Sequence, residues 1–338
     1  MPIEPAAAAF FESSLANPCR RIALLAGGRF SEREVSLASG SSAHAALDAY
    51  GHTVRDFDPA AADFAQQLKD WAPEVVFIAL HGRDGENGGI QGFLETLGLA
   101  YTGSGVLASA LAMDKEKSKL FYQHIGLSTP ASCTVTNDQM LQGCEQQIIS
   151  TLGLPCVIKP VDEGSSVNVA IVRDEPGLRP ALSHALSLNS RLLVEKYIIG
   201  TEVTASVVSG YDDALLALPV IEIVPTAEFY DYRSKYAQGG SEHFCPARLP
   251  AVVLERCQEA AKQAHRVLGC SGASRSDFIV SPDGTPWIIE TNTIPGMTQT
   301  SLLPQAAEHM GISADLLYTH LVETAIQKNN RRQKNNDF

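Results

Sequence analysis

An α/β fold is predicted for this chain on three grounds. Apolar strand-like runs and helix-like segments alternate from Arg21 onward, as in a parallel layer. Val75–Leu80 is a continuous apolar run of the kind buried on both faces of such a sheet. Farther along, Phe278–Val280 and Trp287–Ile289 are rich in β-branched and aromatic residues and flank Ser281-Pro-Asp-Gly284, which has turn chemistry, so a hairpin is predicted. The length, 338 residues, favours about two domains, or three, each able to bury a core.

Taken in order, residues 1–19 form an extension ahead of the first strand, Arg21–Ala26. Gly27-Gly28 then turns into a helix, where Ser31 and Glu34 fit a capping box. Helix Ser39–Tyr50, strand Thr53–Phe57 and helix Phe64–Lys69 continue the alternation up to Val75–Leu80. That strand ends at His81-Gly-Arg-Asp-Gly-Glu-Asn-Gly88, and ligands of open α/β sheets sit at the carboxyl ends of strands. Gly103-Ser-Gly105 fits a relaxed dinucleotide pattern but falls too late in the alternation to favour nicotinamide binding.

Lys115, Lys117 and Lys119 read as the solvated face of a helix that Gly126–Pro130 breaks. A helix over 138–151 precedes a strand over 153–160 carrying Lys159 in an apolar run, where a lysine needs a partner, either a carboxylate or a phosphate. The small-residue loop that follows, Gly164-Ser165-Ser166, could cap phosphate oxygens, although no P-loop string occurs in the chain. Strands at Arg191–Ile198 and Gly200–Val208 carry Glu195 and Glu202. Residues 225–246 are polar and aromatic and read as a lid, helix Leu254–Leu268 leads to the hairpin, and residues 329–338 read as a disordered tail.

With a four-residue loop the hairpin sets Val280 opposite Thr285, Arg275 opposite Glu290 and Asp277 opposite Ile288. Side chains at i and i+2 share a face, which therefore carries Arg275, Asp277, Glu290 and Asn292. These could be solvated strand-end charges. Three oxygen donors beside an arginine favour instead a Mg²⁺ site completed by phosphate oxygens, in which two ions about 3.5–4 Å apart could clamp a phosphoryl group.

Composition narrows the classes. Hydrophobic content of 45% and charged content of 19% describe a globular chain. A net charge of −12 argues against nucleic acid as a partner, so any phosphate site must be local. The seven cysteines are odd in number, well separated and lack C-x-x-C spacing, which suggests neither a disulfide framework nor a zinc site and fits reduced thiols in a cytoplasmic protein. No secretory signal or membrane-spanning apolar run is present, so no membrane partner is expected.

His81 through Gly88, Lys159-Pro through Ser166, Tyr230-Asp-Tyr-Arg-Ser-Lys-Tyr236 and Arg275 through Met297 together resemble the D-alanine–D-alanine ligases of the ATP-grasp superfamily, over roughly residues 20–328. The resemblance implies a three-domain ATP-grasp fold: an N-terminal parallel α/β domain, 20–103, a central subdomain, 104–199, and a C-terminal subdomain, 200–328, with the lid at 225–246. It implies that ATP, with two Mg²⁺ or Mn²⁺ ions, activates one D-alanine as an acyl phosphate that the amine of a second attacks, in a homodimeric enzyme of peptidoglycan synthesis. Lys115, Lys159 and Lys235 would then bind ATP phosphates, Glu195 and Glu202 the adenosine, and Asp277, Glu290 and Asn292 the metals. Arg275 and the backbone near Gly296 would stabilise the tetrahedral intermediate. Glu34 and His81 would attend the first D-alanine, Ser301 and Leu302 the second's carboxylate, and Ser165 with Tyr236 would link the lid to Glu34. Asn168 and Ser274 stand where relatives often have Gly, and Ile294 where Ser is common. A catalytically dead ATP-binding regulator is disfavoured by the presence of Glu34, Ser301 and Tyr236. Another ATP-grasp ligase or carboxylase would need a different acid or a biotin carrier, and no biotin-attachment sequence occurs.

Overall fold

The computed structural model describes residues 8–11, 18–163, 168–225 and 240–336. Strand β1 (Arg21–Leu25) lies between β2 (Thr53–Phe57) and β3 (Val75–Ile78), all parallel. Every residue of β3 is buried, as its apolar run requires. Helix α1 (Arg33–Tyr50) crosses from β1 to β2 and stops at Gly51, whose φ of 106° is left-handed, and α2 (Phe64–Trp71) returns the chain to β3. The predicted capping box is absent: Glu32 is the N-cap and no side chain caps the helix. Asp84 Oδ2 instead accepts from the N–H groups of Arg29 and Phe30 at 2.7 and 2.9 Å, pulling the turn out of box geometry. Glu34 is thereby left exposed in the first turn.

After α3 (Gly89–Thr96), α4 (Val106–Met113) and α5 (Lys115–His124) comes an antiparallel sheet in the order β4-β7-β5-β6. Its strands are β4 (Ser132–Thr136), β5 (Cys156–Pro160), β6 (Ala170–Val172) and β7 (Arg191–Lys196), backed by α6 (Asn137–Leu141), α7 (Glu145–Leu152) and α8 (Glu175–Leu188). The single helix predicted over 138–151 is two, because Gly143 at φ 80° ends the first. Asn168 has a φ of 59°, a left-handed conformation that asparagine tolerates, so the departure from glycine noted there is accommodated.

The third sheet is antiparallel in the order β11-β10-β8-β12-β13, with β9 (Leu215–Ala217) also on β8. Its other strands are β8 (Thr201–Ser209), β10 (Ile221–Pro225), β11 (Ser241–Phe244), β12 (Ala273–Val280) and β13 (Pro286–Asn292). Helix α9 (Ala251–Val267) packs behind it, while α10 (Leu302–His309) and α11 (Ala314–Asn336) join the core of the N-terminal sheet.

The hairpin register differs from expectation. Ser281 N–H donates to Thr285 O at 3.0 Å and Gly284, at φ 80°, donates to Ser281 O, so the loop is one residue longer and Val280 faces Pro286. A bulge between Phe278 and Asp277 then advances the register again. Asp277 faces Glu290 and Arg275 faces Asn292.

At the C-terminus an expectation is corrected. The tail from 329, predicted to be disordered, continues α11 to Asn336, with Arg332 on Glu95 at 2.7 Å and Arg331 on Asp212 at 3.3 Å. Within the N-terminal extension, residues 8–11 are helical; Phe11 is 1% exposed and packs on His320 of α11 with ring centroids 4.5 Å apart. Phe11→Ala is therefore expected to destabilise the protein by about 3–5 kcal/mol in urea unfolding. An unchanged midpoint would mean that the segment contributes nothing to the core.

Candidate active site

The two antiparallel sheets enclose a cleft of about 480 Å³. Lys115 at the start of α5, Lys159 of β5, Glu195 of β7, Glu202 of β8, Asp277 of β12 and Glu290 of β13 all line it, and Val157, Ile171 and Ile198 supply apolar wall. Residues more than 170 positions apart thus meet because β5 and β7 on one side face β8, β12 and β13 on the other.

The lysines of α5 are not a solvated face. Lys115 is 6% and Lys119 2% exposed, whereas Lys117 points to solvent. Positions i and i+4 share a helix face, and here that face meets the sheet. Glu195 makes this burial tolerable: its Oε1 pairs with Lys119 and its Oε2 with Lys159, each at 2.5 Å. Lys119 also donates to Thr129 Oγ1 at 2.8 Å. Burial opposes ionisation of Glu195, but the two ammonium groups outweigh it and hold the carboxyl below its ordinary range. Burial lowers Lys119 to about 8, so it stays charged near neutral pH. The partner anticipated for Lys159 is thus a carboxylate, and Lys119 is a site residue the sequence reading missed. Its spacing of four from Lys115 was the available signal.

Asp277, Glu290 and Asn292 occupy adjacent positions of one strand pair, close to two cations. Arg275 forks onto Asp277, Nε to Oδ1 and Nη2 to Oδ2, both at 2.9 Å, and Thr204 Oγ1 donates to Asp277 Oδ1 at 2.6 Å. Lys115 Nζ lies 3.2 Å from Glu290 Oε2 and donates to Glu163 O at 2.6 Å. Asn292 Oδ1 accepts from Ile294 N–H at 2.9 Å. The donor set is all oxygen, as a hard cation such as Mg²⁺ requires. Among the described residues no group of three or more His, Cys, Asp or Glu side chains forms a metal cage. The set fits an ion that takes its remaining ligands from a substrate.

The carboxyl ends of β1 and β3 build the other half. Gly27 and Gly28 have φ values of 99° and 94°, and a Cβ on them would lie 2.7 Å from Asp58 Cγ and 2.4 Å from Asp84 Oδ2, so any side chain here is strained by the left-handed backbone and must displace a carboxylate. His81 is 6% exposed; its Nδ1–H donates to Ile294 O at 3.1 Å and its Nε2 accepts from Ser39 Oγ at 2.8 Å. Burial lowers it to about 4 and keeps it neutral. Glu86 accepts from Gly82 N–H at 2.8 Å and from Ile294 N–H at 3.2 Å, and burial raises it to about 8. Tyr318 OH donates to Met297 O at 2.8 Å. The loop after β13 is therefore gripped from His81, Glu86 and Tyr318, of which the sequence reading singled out only His81. In that loop Ser301 Oγ accepts from Thr298 N–H at 3.0 Å and lies against Gly296, and Leu302 begins α10. Glu34 makes no hydrogen bond or ion pair with a described residue. Ser165, Lys235, Tyr236 and most of the predicted lid lie outside the described residues.

Residues 121–325 match the family profile "D-ala D-ala ligase C-terminus" and residues 52–104 the profile "D-ala D-ala ligase N-terminus". The chain belongs to the D-alanine–D-alanine ligase family. Its relatives include the D-alanine–D-alanine ligases of Anaeromyxobacter sp. (strain K), 45% identical over 91% of this chain and 98% of the relative, and of Syntrophobacter fumaroxidans, 46% identical over 90% and 97%. Among solved structures, a Bacillus anthracis D-alanine–D-alanine ligase complexed with ATP superposes with a TM-score of 0.80 at 34% identity, covering 93% of this chain and all of that one. The VanG D-Ala:D-Ser ligase of Enterococcus faecalis gives 0.79 at 30% identity, covering 91% of this chain and 100% of that one. The fold is the mixed α/β ATP-grasp fold of this family, with one parallel and two antiparallel sheets. Among the described residues no helix is long and apolar enough to cross a membrane.

The buried groups set a pH dependence. His81 has a folded pKa of about 4 against an ordinary 6.5, so the unfolded chain binds the extra proton between those values. Its contribution is complete above about pH 6.5 and is lost as the pH falls towards 4, at about 1.4 kcal/mol per pH unit. Glu86 has the opposite sign: it stabilises at low pH and loses that contribution as the pH rises through about 8. His81→Gln is expected to flatten the acid limb by about one bound proton, read as unfolding free energy at about pH 5 and pH 7. Equal slopes in both proteins would contradict a buried neutral imidazole.

Proposed function

We propose that this protein joins two D-alanines into D-alanyl-D-alanine with ATP, for a peptidoglycan precursor. The observation that carries the reading is the oxygen-donor face of Asp277, Glu290 and Asn292 beside Lys115 and Lys159 in one cleft. The ATP in the Bacillus anthracis relative supports placing the nucleotide there.

In this reading the γ-phosphoryl group passes from ATP to a carboxylate oxygen of the first D-alanine, releasing ADP. The amine of the second D-alanine attacks the carbonyl carbon, the C–O bond to phosphate breaks, and the amine's proton leaves with solvent. Positioning and charge neutralisation supply the catalysis. Lys115 and Lys159 hold phosphate oxygens, together with Lys235; Glu195 fixes Lys159 from below and, with Glu202, borders the adenosine. Asp277, Glu290 and Asn292 hold two Mg²⁺ or Mn²⁺ ions, which when bound neutralise the phosphate charge. Arg275, kept flat by its fork on Asp277, and the backbone at Gly296 face the oxyanion.

Glu34, free of any capping role, takes the first substrate's ammonium. His81 acts by position, since both ring nitrogens are engaged and the imidazole is neutral. Ser301 and the N–H of Leu302, at a helix start whose first amides lack helical partners, take the second substrate's carboxylate. Ser165 and Tyr236 complete the lid contact with Glu34. The domains run 20–103, 104–199 and 200–328, the last helix extending beyond. A homodimer is supported by the exposed side chains of Leu107 and Leu120 on the consecutive helices α4 and α5 and of Ile125 just after α5.

Glu290→Gln is expected to lower D-alanine-dependent phosphate release at least about a hundredfold while leaving the circular dichroism spectrum and melting temperature near those of the unaltered protein. Near-normal turnover at ordinary Mg²⁺ would remove Glu290 from the metal assignment. With D-alanine as donor and D-alanine, D-serine and D-lactate competing as acceptors at pH 7, D-alanyl-D-alanine is the expected main product. A dominant depsipeptide would overturn the acceptor and leave the ATP chemistry standing.

A further inference from the structure

A second cavity, also about 480 Å³, shares no lining residue with the nucleotide cleft. It is framed by α11, the Gly269–Gly272 turn ahead of β12, the loop after β8 and Gly103. Arg266, Lys328, Arg331 and Arg332 all line it, against Asp213 as the lone lining acid, in a chain whose net charge is −12.

Lys328 reaches inward, donating to Ser271 Oγ and, at 3.5 Å, to Gly103 O. No carboxylate among the described residues lies within ion-pair distance of it. Burial lowers it to about 8 and leaves it charged at neutral pH. An ammonium whose hydrogen bonds go to neutral oxygens, with Glu95 acting on it only from beyond ion-pair distance, keeps part of its charge uncompensated, which an anion in the cavity would satisfy. Two of the arginines have ionic partners that are themselves exposed. Arg331 Nη2 donates to Tyr211 O at 2.6 Å and its ion pairs are with Asp212 and Asp213, whose side chains are 94% and 98% exposed, and Arg266 stands 3.9 Å from Glu259. Exposed pairs of this kind contribute little and can be exchanged for a better ligand.

Part of the lining is glycine backbone. Gly103 and Gly272 both have left-handed φ, 89° and 70°, and a Cβ on Gly272 would come within 3.0 Å of Gly103 Cα, so their close approach excludes a side chain. Gly103, the first residue of a Gly-Ser-Gly string that the nucleotide cleft does not use, lines the cavity.

We propose that this cavity binds a small, multiply charged phosphate-type anion, held by Lys328 and by arginine forks from Arg331 and Arg266. Planar guanidinium groups match phosphate oxygens two at a time, and Lys328 adds a point charge from the cavity floor. The occupant braces a junction where the last loop of the parallel sheet, the start of β12 and α11 meet, already tied by Ser271 Oγ to Gly103 O at 2.8 Å.

The test is calorimetric titration of inorganic phosphate into the full-length protein, Lys328→Met and Arg331→Gln. Neither substitution touches the nucleotide cleft, so phosphate taken up by the cleft lysines is common to all three. The unaltered protein is expected to show a binding event that is weakened about tenfold or more in each variant. Both variants are checked first for unchanged thermal unfolding without phosphate, and if Lys328→Met does not fold, Arg331→Gln carries the same comparison. Identical isotherms in the folded proteins overturn the site.

Discussion

The register shift between Asp277 and Phe278 is the constraint on which the site depends. Without the bulge, Asp277 would face Ile288 or Ile289 and the oxygen donors would be staggered along the hairpin. With it, Asp277 faces Glu290 directly and Arg275 faces Asn292, so the two carboxylates sit at one level of the sheet and the amide two residues along the strand. Bulges re-aim side chains in this way beside functional sites. The cost is a broken ladder position, offset by pairing of β12 with β8 along its full length.

A second constraint keeps charge in the cleft. Two buried ammonium groups would repel and shed protons, but Glu195 lies between Lys119 and Lys159 with one oxygen on each. Removing that carboxylate would leave two buried cations, whereas replacing a whole buried cluster by apolar residues is often tolerated for stability. The arrangement therefore serves function more than folding: it presents Lys159 to the cleft in one fixed position. The histidine loop does the same for the segment after β13, because His81 and Glu86 hold both the C=O and the N–H of Ile294.

Much of this was legible in the sequence. The parallel layer was readable from alternation and from the apolar run of β3, and the grouping of Arg275, Asp277, Glu290 and Asn292 from i, i+2 spacing on the hairpin, because both depend on local periodicity. The register was not, since a fifth loop residue and a bulge are tertiary choices that local pattern leaves open. Lys115 and Lys119 read as solvated because nothing nearby names Glu195, 76 positions from Lys119, as partner. The terminal helix read as disordered because its last turns are polar. Their partners, Glu95 and Asp212, come from distant loops and helices.

The central claim is that the bulged hairpin face is a metal site. Electron paramagnetic resonance of Mn²⁺ titrated into the protein with a non-hydrolysable ATP analogue tests it without relying on turnover. The account predicts about two ions bound per chain, and loss of one of them in both Asp277→Asn and Glu290→Gln. The same number of ions bound with the same affinity in the unaltered protein and both variants would contradict it.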